Sequence, residues 1–285
     1  MSNDVVVKEN QLINARYKLS PVELKLVLYA ITHIDRDDMD FWKYTLRLSD
    51  LDIDHKELKR AARSLMQRVF EIKEPDGWLM ISWFSSIRYN GRNGTIELQF
   101  DPNLKPYLLQ LKANFTAYNL QSVLPMRSSY SIRLYELLKQ YEKIGHRTFN
   151  LDELRDMLQV PASYTWKDVK RRVLDKAEND INAHSDLEIS YEPIKTGRSF
   201  TAVSFRIAPK MAEETFRQYL DRVRAECVHK TLAKTKDVKT GKPVELSVDE
   251  KGHLYNKLDP NWKINRKRAD RIWKMLYREG VCRRF

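Results

Sequence analysis

No long apolar run occurs in this chain. The longest, Leu26 to Ile31, falls far short of the ~20 residues a membrane-spanning helix needs. The opening segment, Met1 to Asn10, lacks both a basic stretch and an apolar stretch, so no signal peptide is expected and a cytoplasmic location is. Cysteine is scarce. Cys227 and Cys282 cannot build a Cys-rich zinc site alone, and a disulfide between them does not suit a reducing compartment. No phosphate-binding P-loop is present, because Gly241-Lys242 runs into Pro243. The six histidines form no H-x-H or H-E-x-x-H pair, so neither a metal nor any other cofactor is expected. The acidic stretch from Asp35 to Asp40 reads as a surface loop, with a divalent-ion site as its rival. Tyr130, Tyr135 and Tyr141 fall on a core helix, and no nucleophile–base pair follows from spacing. The expectation is therefore no catalytic residue and no enzyme. A nickase or recombinase stays open only because such sites assemble from distant positions.

What is present is positive charge. The 285 residues carry a net +12 with pI ≈ 9.5, which favours DNA, RNA or an anionic membrane surface as partner. At roughly 100–200 residues per domain, two domains are expected.

The order of elements chooses duplex DNA. Ser20-Pro21-Val22-Glu23 is a helix start with a capping box and proline at the first helical position. Leu24, Val27, Leu28 and Ile31 then lie on one helical face. Tyr44, Leu46 and Leu48 alternate as a short strand does, and Ser49 can cap a very short helix. A longer helix is expected from Asp54 to Val69, with Leu58, Ala62, Leu65 and Val69 inward. Strand-like stretches follow at Trp78–Tyr89 and Thr95–Phe100, joined by the turn residues Asn90 to Gly94. The same order returns further on. Leu134, Leu137, Leu138 and Tyr141 make a helical face, and Thr148-Phe149 a short strand. Helix starts follow at Asn150 and Thr165, with Pro161 breaking the helix between. Leu187–Tyr191 and Phe200–Ile207 then read as strands about Thr196-Gly197. Helix, short strand, helix, turn, helix and β-hairpin is the winged-helix order, whose third helix enters the major groove while the hairpin touches the flanking backbone. The fold class expected is α+β, two tandem winged-helix domains with a basic, mostly helical C-terminal extension. The bland rival is an α+β protein with two unrelated halves. The expected domains are residues 1–120, 121–209 and 210–285.

A groove-reading helix needs one apolar face and an opposite face of long polar donors. The helix over 165–183 carries Trp166, Val169, Val173, Ala177 and Ile181 as its apolar stripe. Lys167, Lys170 and Arg171 lie on the far side, and Arg172 borders it. The helix over 54–69 carries Lys56, Lys59, Arg60 and Arg63 mostly off its stripe. The hairpins add Arg88 and Arg92 in the first unit, and Lys195 and Arg198 in the second; wing cations usually hold phosphate. The competing account is a solvated charged surface, with pairs such as Asp168 and Arg172. Beyond Pro209, helices are expected over 211–228 and 262–277, with a polar, Lys-rich linker from Lys234 to Val244.

One family carries these residues together. Phe115-Thr116, Tyr118, Leu120, Ser129 to Leu138 with its Arg-Leu-Tyr-Glu block, and Gln140-Tyr141 are its first part. Leu151, Leu154, Leu158, Val160-Pro161, Ser163-Tyr164, Val169 to Leu174 and Asn179 to Asn182 are its second. In these residues the chain resembles the replication initiators of iteron-containing bacterial plasmids. The likeness spans residues 5 to 208 and is clearest from 115 to 207; residues past 208 do not match it. The resemblance implies binding of origin direct repeats as a monomer and opening of the origin. It implies recruitment of host DnaA and the DnaB helicase, and repression of the protein's own gene as a dimer on an inverted repeat. It further implies that the second domain makes the main base contacts, at positions matching Lys170, Arg171 and Arg172, and that the first supplies the dimer interface. A winged-helix transcriptional regulator without an initiation role is the alternative.

Overall fold

The computed structural model describes residues 4–35, 37–47, 49, 53–210, 218–221, 223, 227–236, 242–249, 251, 253–264 and 266–278. The chain divides into two compact units, residues 1–210 and 211–285.

The first unit opens with strand β1 (Val5–Glu9), helix α1 (Asn10–Asn14) and helix α2 (Pro21–Ile31). The capping box closes as its sequence demands: Glu23 N donates to Ser20 Oγ at 3.3 Å, and Ser20 N donates to Glu23 Oε2 at 2.6 Å. Strand β2 (Tyr44–Arg47) and helix α3 (His55–Gln67) follow, and Asp54 caps α3 by accepting from Glu57 N. Leu58, Ala61 and Leu65 are the buried face of α3; Val69 is exposed, because the helix has ended at Gln67 and the chain has become strand. Two hairpins come next, β3 (Val69–Glu74) with β4 (Gly77–Ser82) and β5 (Phe84–Asn90) with β6 (Thr95–Phe100). The alternation read as one strand over 78–89 is thus split at Trp83, a buried side chain that stacks on Phe70 and meets Tyr17 edge-on. The short helix expected after Ser49 falls largely outside the described residues.

Helix α4 (Lys105–Leu108) and strand β7 (Phe115–Asn119) close this half, β7 pairing with β1. Helix α5 (Ser129–Lys139), strand β8 (His146–Asn150) and helix α6 (Leu151–Met157) begin the second half. The turn after α6 is held by Arg155, whose Nη2 donates to the carbonyls of Tyr164, Pro161 and Ala162. Helix α7 (Trp166–Val169), a wide π turn (Lys170–Leu174) and helix α8 (Asp175–His184) follow as one continuous rod. The hairpin of β9 (Leu187–Thr196) and β10 (Ser199–Pro209) completes the unit, with Gly197 in the left-handed region at its turn. Both halves build the same three-stranded sheet, β2-β6-β5 in one and β8-β10-β9 in the other. The repeat seen in the sequence is therefore a repeat of topology.

One apolar core runs through both halves, and α5 lies within it. Its polar centre is fully buried. Lys8 pairs with Glu136, which also receives the Tyr118 hydroxyl at 2.5 Å. Arg133 donates to Glu136 at 3.0 Å, to the Tyr17 hydroxyl, and to the carbonyls of Ile13 and Ala15. Arg16 adds a second tie between the halves, 2.5 Å from Asp156 on α6.

The second unit is not only helical. Strands β11 (Ala233–Lys236), β12 (Pro243–Val248) and β13 (Leu254–Asn256) form an antiparallel sheet, and helix α9 (Arg266–Arg278) follows. The span expected as a polar linker thus contributes β11 and the start of β12, because Val244, Leu246 and Val248 supply apolar side chains that the sheet buries. The helix expected over 211–228 lies mostly outside the described residues, as does Cys282; Cys227 is buried. Among the described residues, no helix is long and apolar enough to cross a membrane.

Candidate nucleic-acid interface

The 166–184 rod presents its cations by burying the other side. Val169, Val173, Ala177 and Ile181 are all buried. They recur every four residues, a step that drifts by about 40° each time on a 3.6-residue helix. The wide turn at 170–174 takes up part of that drift and keeps the apolar stripe on the core. Lys170, Arg171 and Arg172 lie in this turn, where the sequence pattern predicts a regular helix. Lys167, Lys170, Arg171 and Arg172 are all exposed. Thr165 caps the rod: Asp168 N donates to Thr165 Oγ1, and Thr165 N and Oγ1 donate to Asp168 Oδ2.

The four cations have different neighbours. Lys170 Nζ lies 2.8 Å from Asp175 Oδ1, and Tyr191 also hydrogen-bonds that carboxylate. The hydrogen bond to Asp175 raises the Lys170 pKa, with Tyr191 adding to the effect. Arg172 Nε is 3.3 Å from Asp168, and its guanidinium sits over the Tyr164 ring at 5.2 Å. The contact with Tyr164 and the Asp168 charge push its pKa further up. Arg171 and Lys167 make no hydrogen bond or ion pair with other described residues, so their donors face solvent. The raised values of Lys170 and Arg172 favour their charged forms, as phosphate and guanine acceptors require.

The wing is fastened to the start of the rod. Trp166 stacks on Phe200 at 4.2 Å between centroids and 19° between planes, and Lys195 Nζ lies 4.6 Å from the Phe200 ring centroid. Lys195 is thereby brought beside the rod, while Arg198 stands exposed next to the turn. The first half repeats the device: His55, the first residue of α3, meets Tyr89 of β5 at 4.7 Å. Lys56, Lys59, Arg60, Arg63, Arg88 and Arg92 are exposed on α3 and its hairpin, with Arg88 3.9 Å from Glu97. Residue spacing does not reveal Tyr164, Tyr191, Phe200, His55 or Tyr89 as partners. The one local signal is an aromatic ring directly after each helix cap.

Asp35 to Asp40 uses its carboxylates locally. Asp38 accepts from Asp35 N and the Tyr44 hydroxyl, and Asp40 lies 2.7 Å from Lys105. Among the described residues no cluster of three or more His, Cys, Asp or Glu is gathered as a metal site requires.

Comparison with known proteins gives a consistent picture. A family model described as "Initiator Replication protein, WH1" matches residues 5–139, and one described as "Initiator Rep protein, WH2" matches residues 150–207. A replication initiation protein of Escherichia coli is 30% identical over 227 residues, covering 73% of this chain and 70% of its own length. The crystal structure of Pi initiator protein in complex with iteron DNA superposes with a TM-score of 0.63 at 19% identity. That match covers 74% of this chain and 100% of the other, and it establishes the same two-winged-helix fold.

Proposed function

This chain belongs to the replication initiator (Rep) proteins, and on that premise we propose that it is the initiator of an iteron plasmid and binds the direct repeats of its own origin through both winged helices. The observation that carries this is the 166–184 rod. Its apolar stripe is spent on the core, and Lys167, Lys170, Arg171 and Arg172 face solvent from its first half. The second winged helix supplies the main base contacts. Lys195 and Arg198 on its wing, and Lys56, Lys59, Arg60, Arg63, Arg88 and Arg92 in the first half, hold phosphate and set register. The repeats of a plasmid origin are the sites such a surface fits, and the Pi protein's complex is with iteron DNA.

Bound as a monomer, the protein opens the origin and brings in host DnaA and the DnaB helicase; as a dimer it represses its own gene. Self-association through the first half is supported by large apolar side chains left open to solvent. Val69, Trp78 and Met80 lie on one side of the β3–β4 hairpin, 58%, 63% and 52% exposed, interleaved there with Glu71 and Lys73. The action is binding, with no bond made or broken: supercoiled origin DNA should stay unnicked with purified protein and Mg²⁺.

The test is a replicon assay in the cytoplasm of a bacterial host. The gene with its flanking repeats should sustain a circle that lacks any other origin. Failure, with repeat binding intact, would leave a transcriptional regulator of the same architecture.

A further inference from the structure

Residues 211–285 hold 19 Lys and Arg against 11 Asp and Glu. They therefore carry +8 of the chain's net +12, although neither family match extends past residue 207. This charge stands on a built unit with its own core, where Tyr219, Val223, Cys227, Val248, Trp273 and Leu276 cluster. Helix α9 contributes Trp273 and Leu276 to that core, with Ala269 and Ile272 packed against it. Positions 267, 271, 274 and 278 recur at helical spacing on the opposite stripe, and the sequence places Lys, Arg, Lys and Arg there. Arg271 is exposed, as are Lys257 and Lys263 on the approach to the helix.

We propose that this unit is a second, sequence-independent contact for duplex DNA, which holds phosphates along the α9 stripe. Positions 267 to 278 span roughly 16 Å at 1.5 Å per residue. That exceeds the about 12 Å width of a major groove, so a helix laid across the groove reaches phosphate on both sides. The opposite stripe is occupied. A helix that lies on a membrane needs its apolar face free, and here Trp273 and Leu276 are buried in the unit's own core. The choice of duplex DNA over RNA rests on the origin-binding reading above; the cationic surface itself does not.

The experiment compares the full chain with a Lys267→Gln, Arg271→Gln, Lys274→Gln variant on a repeat-free duplex over a series of salt concentrations. The variant should bind this duplex more weakly. Its log–log salt slope should be shallower by about 0.9 for each phosphate no longer neutralised, so by about 2 to 3. Preference for origin repeats over the repeat-free duplex should be kept or should rise. A Lys267→Arg, Lys274→Arg variant should keep the wild-type slope, which separates removal of charge from a disturbed fold. An unchanged affinity and slope in the Gln variant would overturn the proposal. So would an effect confined to phosphatidylserine-containing vesicles or to single-stranded RNA. The origin-binding reading fails separately, if the unsubstituted chain shows no preference for origin repeats over the repeat-free duplex while the repeat-free slope still responds to the α9 substitutions.

Discussion

Arg171 stands apart from the cations on either side of it. In the proposed complex DNA competes with the ion pairs of Lys170 with Asp175 and of Arg172 with Asp168, whereas Arg171 feels the Asp168 charge without an ion pair among the described residues. Replacing Arg171 with Gln should cost about 1–3 kcal/mol of repeat affinity and relax the preference at one base position if it grips a guanine bidentately. Titration of repeats carrying single base changes measures this; an unchanged preference assigns Arg171 to phosphate. At the buried centre, Glu136→Gln leaves Lys8 and Arg133 without their counter-charge and should cost about 3–5 kcal/mol in denaturant unfolding. Burial alone would push the Glu136 carboxyl up, but Lys8 and Arg133 outweigh it and hold its pKa below the usual value. A carboxylate lowered in this way contributes stability above its unfolded value of about 4.3. That contribution is lost as pH falls through the folded value. The stability gap between wild type and the Gln variant should therefore be full at neutral pH and close in strong acid.

At the scale of elements, each helix proposed to read the groove is fastened to its own hairpin by rings, Trp166 to Phe200 and His55 to Tyr89. An aromatic pair of this kind contributes about 0.5–1.5 kcal/mol beyond its buried area. Phe200→Leu should therefore lower stability modestly. It should also detach Lys195 from the rod, making the salt slope of repeat binding shallower by about 0.9. A slope equal to wild type would show that the wing holds its phosphate without the ring. These ring pairs also mark where the sequence stops being legible. The helix starts at Ser20, Asn150 and Thr165, the helical faces they open and both wings follow from local spacing, because cap and periodicity are local physics. Strands β1 and β7 do not, since Val5 and Asn119 pair across most of a domain and each strand is short. Strand β3 is missed because Val69 and Phe70 also continue the apolar rhythm of α3. The π turn is invisible to a fixed 3.6-residue period, although the four-residue spacing of Val169, Val173, Ala177 and Ile181 is its trace. The exposed site cations are legible as a surface, but their ion-pair partners are not, since Tyr191 and Asp175 meet only in the folded domain.

Across the whole molecule, the DNA contacts and the self-association face proposed above fall on different features of the first unit. The cations lie on α3, the 166–184 rod and the two wings, while Val69, Trp78 and Met80 share one face of the β3–β4 hairpin. Trp78→Glu should shift the protein to monomer in sedimentation without weakening binding to a single repeat; an unchanged dimer fraction would place the interface elsewhere. Above all, two winged helices of one chain should engage successive major grooves on one side of the duplex. Hydroxyl-radical footprinting of a single origin repeat by the monomer tests this most directly. Two protected patches centred about 34 Å apart, one helical turn, are the expected result. A single patch confined to one groove would contradict it.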